Sequence, residues 1–144
     1  MKHCLTLLCC AFLFTAAFAA PAAKNSVKWG NDLAAAQKSV KGTKKSVLLF
    51  FTAPGWCGPC RRLESGAVGS AKFAKIAKEN VAVRLDFSDR RNVSESAKAA
   101  LKQYQVQGFP SLVVLDAEGK EKGRIVGALP EKKFFAELKK FLKK

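Results

Sequence analysis

Five apolar residues, Val47-Leu48-Leu49-Phe50-Phe51, lead through Thr52-Ala53-Pro54-Gly55 into Trp56-Cys57-Gly58-Pro59-Cys60. A continuous apolar run of this length reads as a strand buried on both faces. A strand feeding a Cys-x-x-Cys reads as a redox motif. Two thiols at this spacing suit a reversible disulfide, in which one sulfur attacks a substrate and the other resolves the mixed intermediate. Pro59 fits the first turn of a helix, where its missing N–H costs nothing. Cys57 then falls at that helix's N-terminus, where unpaired N–H groups and the macrodipole stabilise a thiolate.

Other uses of two cysteines fit less well. A structural zinc site needs four ligands, usually Cys or His. The single histidine is His3, and the remaining cysteines are Cys4, Cys9 and Cys10, all near the N-terminus. Arg61 rather than His follows Cys60, which excludes c-type haem attachment. A purely structural disulfide would close so short a loop that it stabilises little. No metal and no cofactor is implied.

The N-terminus sets an expected compartment. Lys2 and His3 precede an apolar stretch from Leu5 to Ala20, and Ala17-Phe18-Ala19 has the small-x-small form of a cleavage site. We read residues 1–19 as a signal peptide. The stretch is 16 residues long, short for a helix crossing about 30 Å of hydrocarbon, which makes an uncleaved anchor the alternative. Cleavage leaves Cys57 and Cys60 as the only cysteines, a redox pair suited to an oxidising compartment, periplasmic or extracellular. Residues 20–28 read as a short exposed lead-in and residues 29–144 as one domain, within the usual size range.

Along that domain helices and strands alternate. Asn31 and Asp32 cap a helix through Lys41, with Leu33, Ala36 and Val40 inward and Gly42 ending it. The helix from Pro59 is interrupted at Gly66 and Gly69, and Ser70 caps a second piece with Phe73, Ile76 and Ala77 inward. Val81–Asp86 reads as a strand and Ser94–Tyr104 as a helix capped by Ser94. Ser111–Asp116 and Lys122–Val126 form a hairpin turning at Glu118-Gly119. Pro130–Leu142 is a final amphipathic helix. The pattern is α/β: a central mixed β-sheet flanked by helices.

The chain resembles the thioredoxin family over nearly all of the expected domain. The resemblance rests on Trp56-Cys57-Gly58-Pro59-Cys60, on Val106-Gln107-Gly108-Phe109-Pro110-Ser111, on the hairpin, and on Val126-Gly127-Ala128-Leu129. The Phe-Thr-Ala-Pro-Gly approach is closer to secreted bacterial members than to small cytosolic ones. The resemblance implies a thioredoxin fold and a thiol–disulfide oxidoreductase with Cys57 as nucleophile and Cys60 as resolving thiol. It implies a cis proline at Pro110 facing the disulfide, and a substrate surface of Trp56, Gly58, Pro59, Gly108, Phe109, Pro110 and Gly127. The expected partners are disulfide-containing protein substrates and an external thiol electron-donor protein, with the chain acting as a monomer. The Gly-Pro dipeptide resembles that of reducing members. A disulfide oxidase or isomerase, or a binding module without turnover, are the alternatives.

Two departures stand out. Many members bury an acid in the strand before the Cys-x-x-Cys; here the matching positions are Phe50 and Phe51. Glu64, one turn past Cys60, reads as a solvated helix residue, with assistance to Cys60 as the alternative. The polar segment Phe87–Val93 is longer than in minimal members and reads as a loop near the active end.

The formal net charge is +15, and cleavage of residues 1–19 removes only Lys2, leaving about +14. No nucleic-acid reader motif or aromatic interleaving accompanies that charge, so nucleic acid is not an expected partner. Lys132, Lys133, Lys139, Lys140, Lys143 and Lys144 occupy one face of the last helix. Its apolar face belongs on the sheet, which leaves at most peripheral membrane contact.

Overall fold

A computed structural model describes residues 26–143. The expected signal peptide, the first part of the lead-in and Lys144 lie outside them. Ten elements follow in chain order: β1 (Trp29–Gly30), α1 (Leu33–Val40), β2 (Val47–Thr52), α2 (Gly58–Ser65), α3 (Ala71–Glu79), β3 (Val81–Asp86), α4 (Glu95–Gln103), β4 (Ser111–Leu115), β5 (Glu121–Val126) and α5 (Glu131–Lys143). The strands form one sheet in the order β1-β3-β2-β4-β5. β1 and β2 run parallel to β3, whereas β4 runs antiparallel to both β2 and β5.

β2 is the axis of the fold because every one of its residues is buried. Strand side chains alternate between faces. Val47, Leu49 and Phe51 therefore join a core with Leu33, Ala36 and Val40 of α1 and Ala97, Ala100 and Tyr104 at α4. Leu48 and Phe50 point the other way, into a core with Phe73 of α3, Leu63 of α2 and Phe134, Phe135 and Leu138 of α5. The result is a sheet covered on both faces, as its central parallel strands require. Each fully buried phenylalanine contributes about 1.5–3 kcal/mol of transfer free energy, and Phe50, Phe51, Phe73, Phe134 and Phe135 are all in that class.

The helices begin where short polar side chains can satisfy free N–H groups. Asp32 accepts from Ala34 N at 2.8 Å and Ala35 N at 3.3 Å. Ser70 caps α3 through Phe73 N, and Ser94 caps α4 through Ala97 N, each at 3.2 Å. Gly123 is needed for close approach: the Phe141 ring of α5 lies where a Cβ would stand, 2.3 Å away.

Two details differ from the sequence reading. Trp29 does not merely start the domain; it and Gly30 pair with Ala82 and Val83 as an edge strand. Its ring stacks on Phe50 at 5.7 Å and Phe73 at 5.9 Å. Val27, placed in an exposed lead-in, is half-buried and packs on the same core. Apolar stacking pulls this segment onto the sheet.

Candidate active site

The chain leaves β2 at Thr52, turns through Ala53 to Trp56, and re-enters helix at Gly58. Cys57 is the N-cap of α2, in extended conformation (φ −103°, ψ 103°), with Pro59 in the first turn. Its Sγ accepts a hydrogen bond from Cys60 N at 3.2 Å. The sulfur therefore sits on one of the free N–H groups of the helix start, at the positive end of its macrodipole. Cys57 and Cys60 are joined as a disulfide with Cα atoms 5.2 Å apart. Their environments differ: Cys57 keeps 7% of its surface exposed and Cys60 none.

The Phe109–Pro110 peptide is cis and runs beside the disulfide. The Phe109 carbonyl oxygen is 3.8 Å from Cys57 Sγ. Pro110 is buried, and its carbonyl accepts from Gly127 N at 2.8 Å. Ser111 Oγ donates to Gly108 O at 2.7 Å. These two bonds tie Gly108, Phe109, Pro110 and Gly127 into one rim. Gly127 has φ +83°, a conformation that favours glycine. Gly58 and Pro59 complete the rim on the helix side, with the Arg61 and Arg62 guanidinium groups beside Gly58. Arg61 Nη1 donates to Pro54 O at 2.7 Å, so that guanidinium is held by backbone rather than by a sulfur.

Trp56 stands beside Cys57 with 44% of its surface exposed. Its Nε1 donates to Phe87 O at 3.1 Å, and its ring meets Phe109 edge-on at 5.8 Å. The residues expected for the disulfide and the substrate surface thus lie together at the end of the sheet where β2 stops and β4 starts.

The sequence reading took the 87–93 segment only as a polar loop near this end, without its contacts. Arg90 lays its guanidinium over the Trp56 ring, 4.4 Å from the centroid. Phe87 supports both Phe109 (5.0 Å) and Phe51 (6.3 Å). The 87–93 segment read as a loop is therefore part of the site wall. Asp89 shapes it by accepting from Asn92 Nδ2 at 2.7 Å and Arg91 N at 3.0 Å. Those bonds, the Asn92 one first, lower its carboxyl pKa from the ordinary value.

Glu64 corrects the sequence reading. It is not a solvated helix residue: it accepts from Thr52 Oγ1 at 2.5 Å and pairs with Arg84 at 3.1 Å. β3 places Arg84 opposite Phe50 in register, which brings its side chain to α2 across the sheet face. Glu64 thus faces the α2–α5 side of β2, whereas the core beneath the disulfide holds Phe51. Among the described residues no three His, Cys, Asp or Glu side chains converge as a metal site.

Residues 33–142 match the family model described as a thioredoxin-like domain. The chain belongs to the thioredoxin-like family. It is 34% identical over 134 residues to a protein of Chlamydia pneumoniae named disulfide bond reductase DsbH, covering 84% of this chain and 78% of that one. It is 29% identical over 113 residues to thioredoxin M4 of Arabidopsis chloroplasts, covering 74% and 49%. Among solved structures, a DsbH oxidoreductase superposes with TM-score 0.71 at 29% identity over 82% of this chain and 85% of that one. A Thermus thermophilus thioredoxin superposes with TM-score 0.64 at 19% identity over 79% and 85%, a likeness of fold. The chain is a thioredoxin-like thiol–disulfide oxidoreductase, whose work entails disulfide substrates and redox partners.

Proposed function

We propose that the protein is exported and reduces protein disulfides, with Cys57 as nucleophile and Cys60 as resolving thiol. In the reduced protein the Cys57 thiolate attacks one sulfur of a substrate disulfide. The substrate's other sulfur leaves as a thiolate, and a mixed disulfide remains. Cys60 gives up its proton and attacks Cys57 Sγ, releasing the second substrate thiolate and closing the Cys57–Cys60 disulfide. Two electrons pass to the substrate, and an external dithiol donor protein restores the pair. Trp56, Gly58, Pro59, Gly108, Phe109, Pro110 and Gly127 form the surface against which the substrate chain lies. The Phe109 backbone, whose carbonyl lies 3.8 Å from Cys57 Sγ, is placed to pair with an extended substrate segment.

The observation that carries the reductive direction is the modest stabilisation offered to the Cys57 sulfur. Strong disulfide oxidants stabilise the reduced form unusually well. Here the sulfur has a helix N-terminus and one backbone N–H, and the Arg61 guanidinium donates to Pro54 O and not to the sulfur. The reductase name of the Chlamydia relative points the same way, as does the Gly58-Pro59 dipeptide. Export rests on the signal-like residues 1–19 and on the retention of a single cysteine pair after them. The unit that acts is residues 29–144, as a monomer, with peripheral membrane contact at most.

Insulin reduction driven by a small dithiol tests the reading. The protein accelerates insulin precipitation, Cys57→Ser abolishes the effect, and Cys60→Ser arrests as a mixed disulfide on Cys57. Alkylation of the reduced protein at neutral pH labels Cys57 first. First labelling at Cys60 reverses the roles, and no acceleration by the wild type makes the chain a binding module.

A further inference from the structure

We infer that the groove beside the disulfide selects substrates that carry an acidic side chain, with a bulky apolar neighbour, close to the cysteine that Cys57 attacks. The inference rests on the reductase reading above and adds to it the substrate class. An open groove of about 460 Å³ lies next to Trp56 and Phe109, floored by the apolar side chains of Phe87, Val93, Leu101 and Val106. That volume falls in the range of ligand-binding clefts. Trp56 directly precedes Cys57, so a substrate residue one or two positions from the attacked cysteine reaches the groove at about 3.3–3.6 Å per residue.

The charge at its rim is one-sided. Arg90 stacks on Trp56, and among the described residues no carboxylate pairs with it. Stacking holds a guanidinium by its face and leaves its planar N–H fork free for a carboxylate. The acids of the same segment do not neutralise it. Asp89 is turned into its own loop by Asn92 and Arg91 N, and Asp86 pairs with Arg84. Glu95 is occupied by Lys98, the other cation of the rim, at 2.8 Å. On the opposite side of the disulfide Arg61 and Arg62 border Gly58. An approaching chain therefore meets an apolar groove with one uncompensated guanidinium at its edge, inside a positive field. An acidic segment gains on both counts, whereas a basic one is repelled.

Two disulfide-closed peptides, identical except for Glu or Gln two residues from the attacked cysteine, provide the test. The rate at which each oxidises the reduced protein is measured. At low salt the Glu peptide reacts about fivefold faster, the factor of one exposed ion pair near 1 kcal/mol. The ratio falls towards one in about 1 M salt, where charges are screened beyond about 3 Å. Arg90 is exposed on a loop, so its replacement leaves the fold intact. Arg90→Gln brings the low-salt ratio to one, Arg90→Glu inverts it, and Arg90→Lys retains part of it. A wild-type ratio of one, or a preference that survives Arg90→Gln, overturns the inference while leaving the reductase reading standing. Failure of the wild type to reduce either peptide overturns the reductase reading and this inference with it.

Discussion

The two ends of the sheet are built on opposite principles. At the end holding the β4–β5 turn, Tyr104 Oη donates to Gly119 O at 3.0 Å and accepts from Gln37 Nε2 at 3.1 Å. One hydroxyl thereby pins α1, α4 and the hairpin together. Arg124 adds bonds to Tyr104 O at 2.9 Å and to Glu121. At the disulfide end the opposite holds: Trp56 and Val126, at 44% and 56%, are the large hydrophobic residues left exposed among those described. Arg90 there has no acidic partner. One end satisfies its groups internally and fixes the fold. The other leaves apolar surface and charge for a partner, which is where an oxidoreductase needs them.

Substitutions at the turn end are expected to cost stability and spare exchange, and those of the exposed residues at the disulfide end to do the reverse. Tyr104→Phe carries the largest expected stability effect. It deprives Gly119 O of a donor and Gln37 of an acceptor, a loss of about 1–2 kcal/mol. Urea unfolding checks it, with the insulin rate unchanged. Burial pushes the Tyr104 pKa above its ordinary value; Gln37's hydrogen bond opposes this, and Glu121 and Asp116 add to the rise. The folded pKa then exceeds the unfolded one, so the contribution is complete below about pH 10 and is lost as pH rises through the folded value. Tyr104 is the single tyrosine, so tyrosinate absorbance reads it alone. Its midpoint lies above that of the denatured chain, and a lower midpoint would contradict the burial account.

Glu64→Gln has a smaller expected effect. The Thr52 bond survives on the amide oxygen, but the ion pair with Arg84 is lost. Both side chains are partly exposed, at 31% for Arg84 and 21% for Glu64, which limits the loss to about 0.5–1 kcal/mol. Because Glu64 lies on the α2–α5 side and Phe51 lies beneath the disulfide, the insulin rate stays within about twofold, the scale of a coupling too weak to set a thiol's protonation. A drop of tenfold would make Glu64 the working substitute for the missing buried acid. Val126→Thr, at the disulfide end, is the mirror test of Tyr104→Phe. Stability shifts by no more than about 0.5 kcal/mol, as for surface positions generally. Reduction of insulin slows by about twofold, the weight of a peripheral contact, while a fall in stability without a fall in rate would break the comparison.

Much of this was legible in the sequence, for identifiable reasons. Val47–Thr52 and Val81–Asp86 were readable because their apolar runs end at clear turn residues, and the observed strands have those bounds. Asp32, Ser70 and Ser94 marked their helices because capping is local chemistry. What was not legible depends on pairing register. Nothing local to Glu64 reveals that Thr52 and Arg84 converge on it, since Arg84 arrives through β3 lying beside β2. The two-residue β1 is too short to carry a period. Arg90 reads as one more loop cation until the fold lays it on Trp56. The redox pair was visible because a Cys-x-x-Cys states its chemistry by spacing, whereas a docking surface is assembled from distant segments.

The reduction potential of the Cys57–Cys60 pair, from equilibration of the protein against glutathione buffers, tests the central claim most directly. Reducing thioredoxins lie near about −270 mV and strong oxidants near about −120 mV. A sulfur held by a helix start and one N–H, with Arg61 engaged elsewhere, predicts a value below about −200 mV. A value close to that of the strong oxidants would contradict the reductase account and make the protein a disulfide donor.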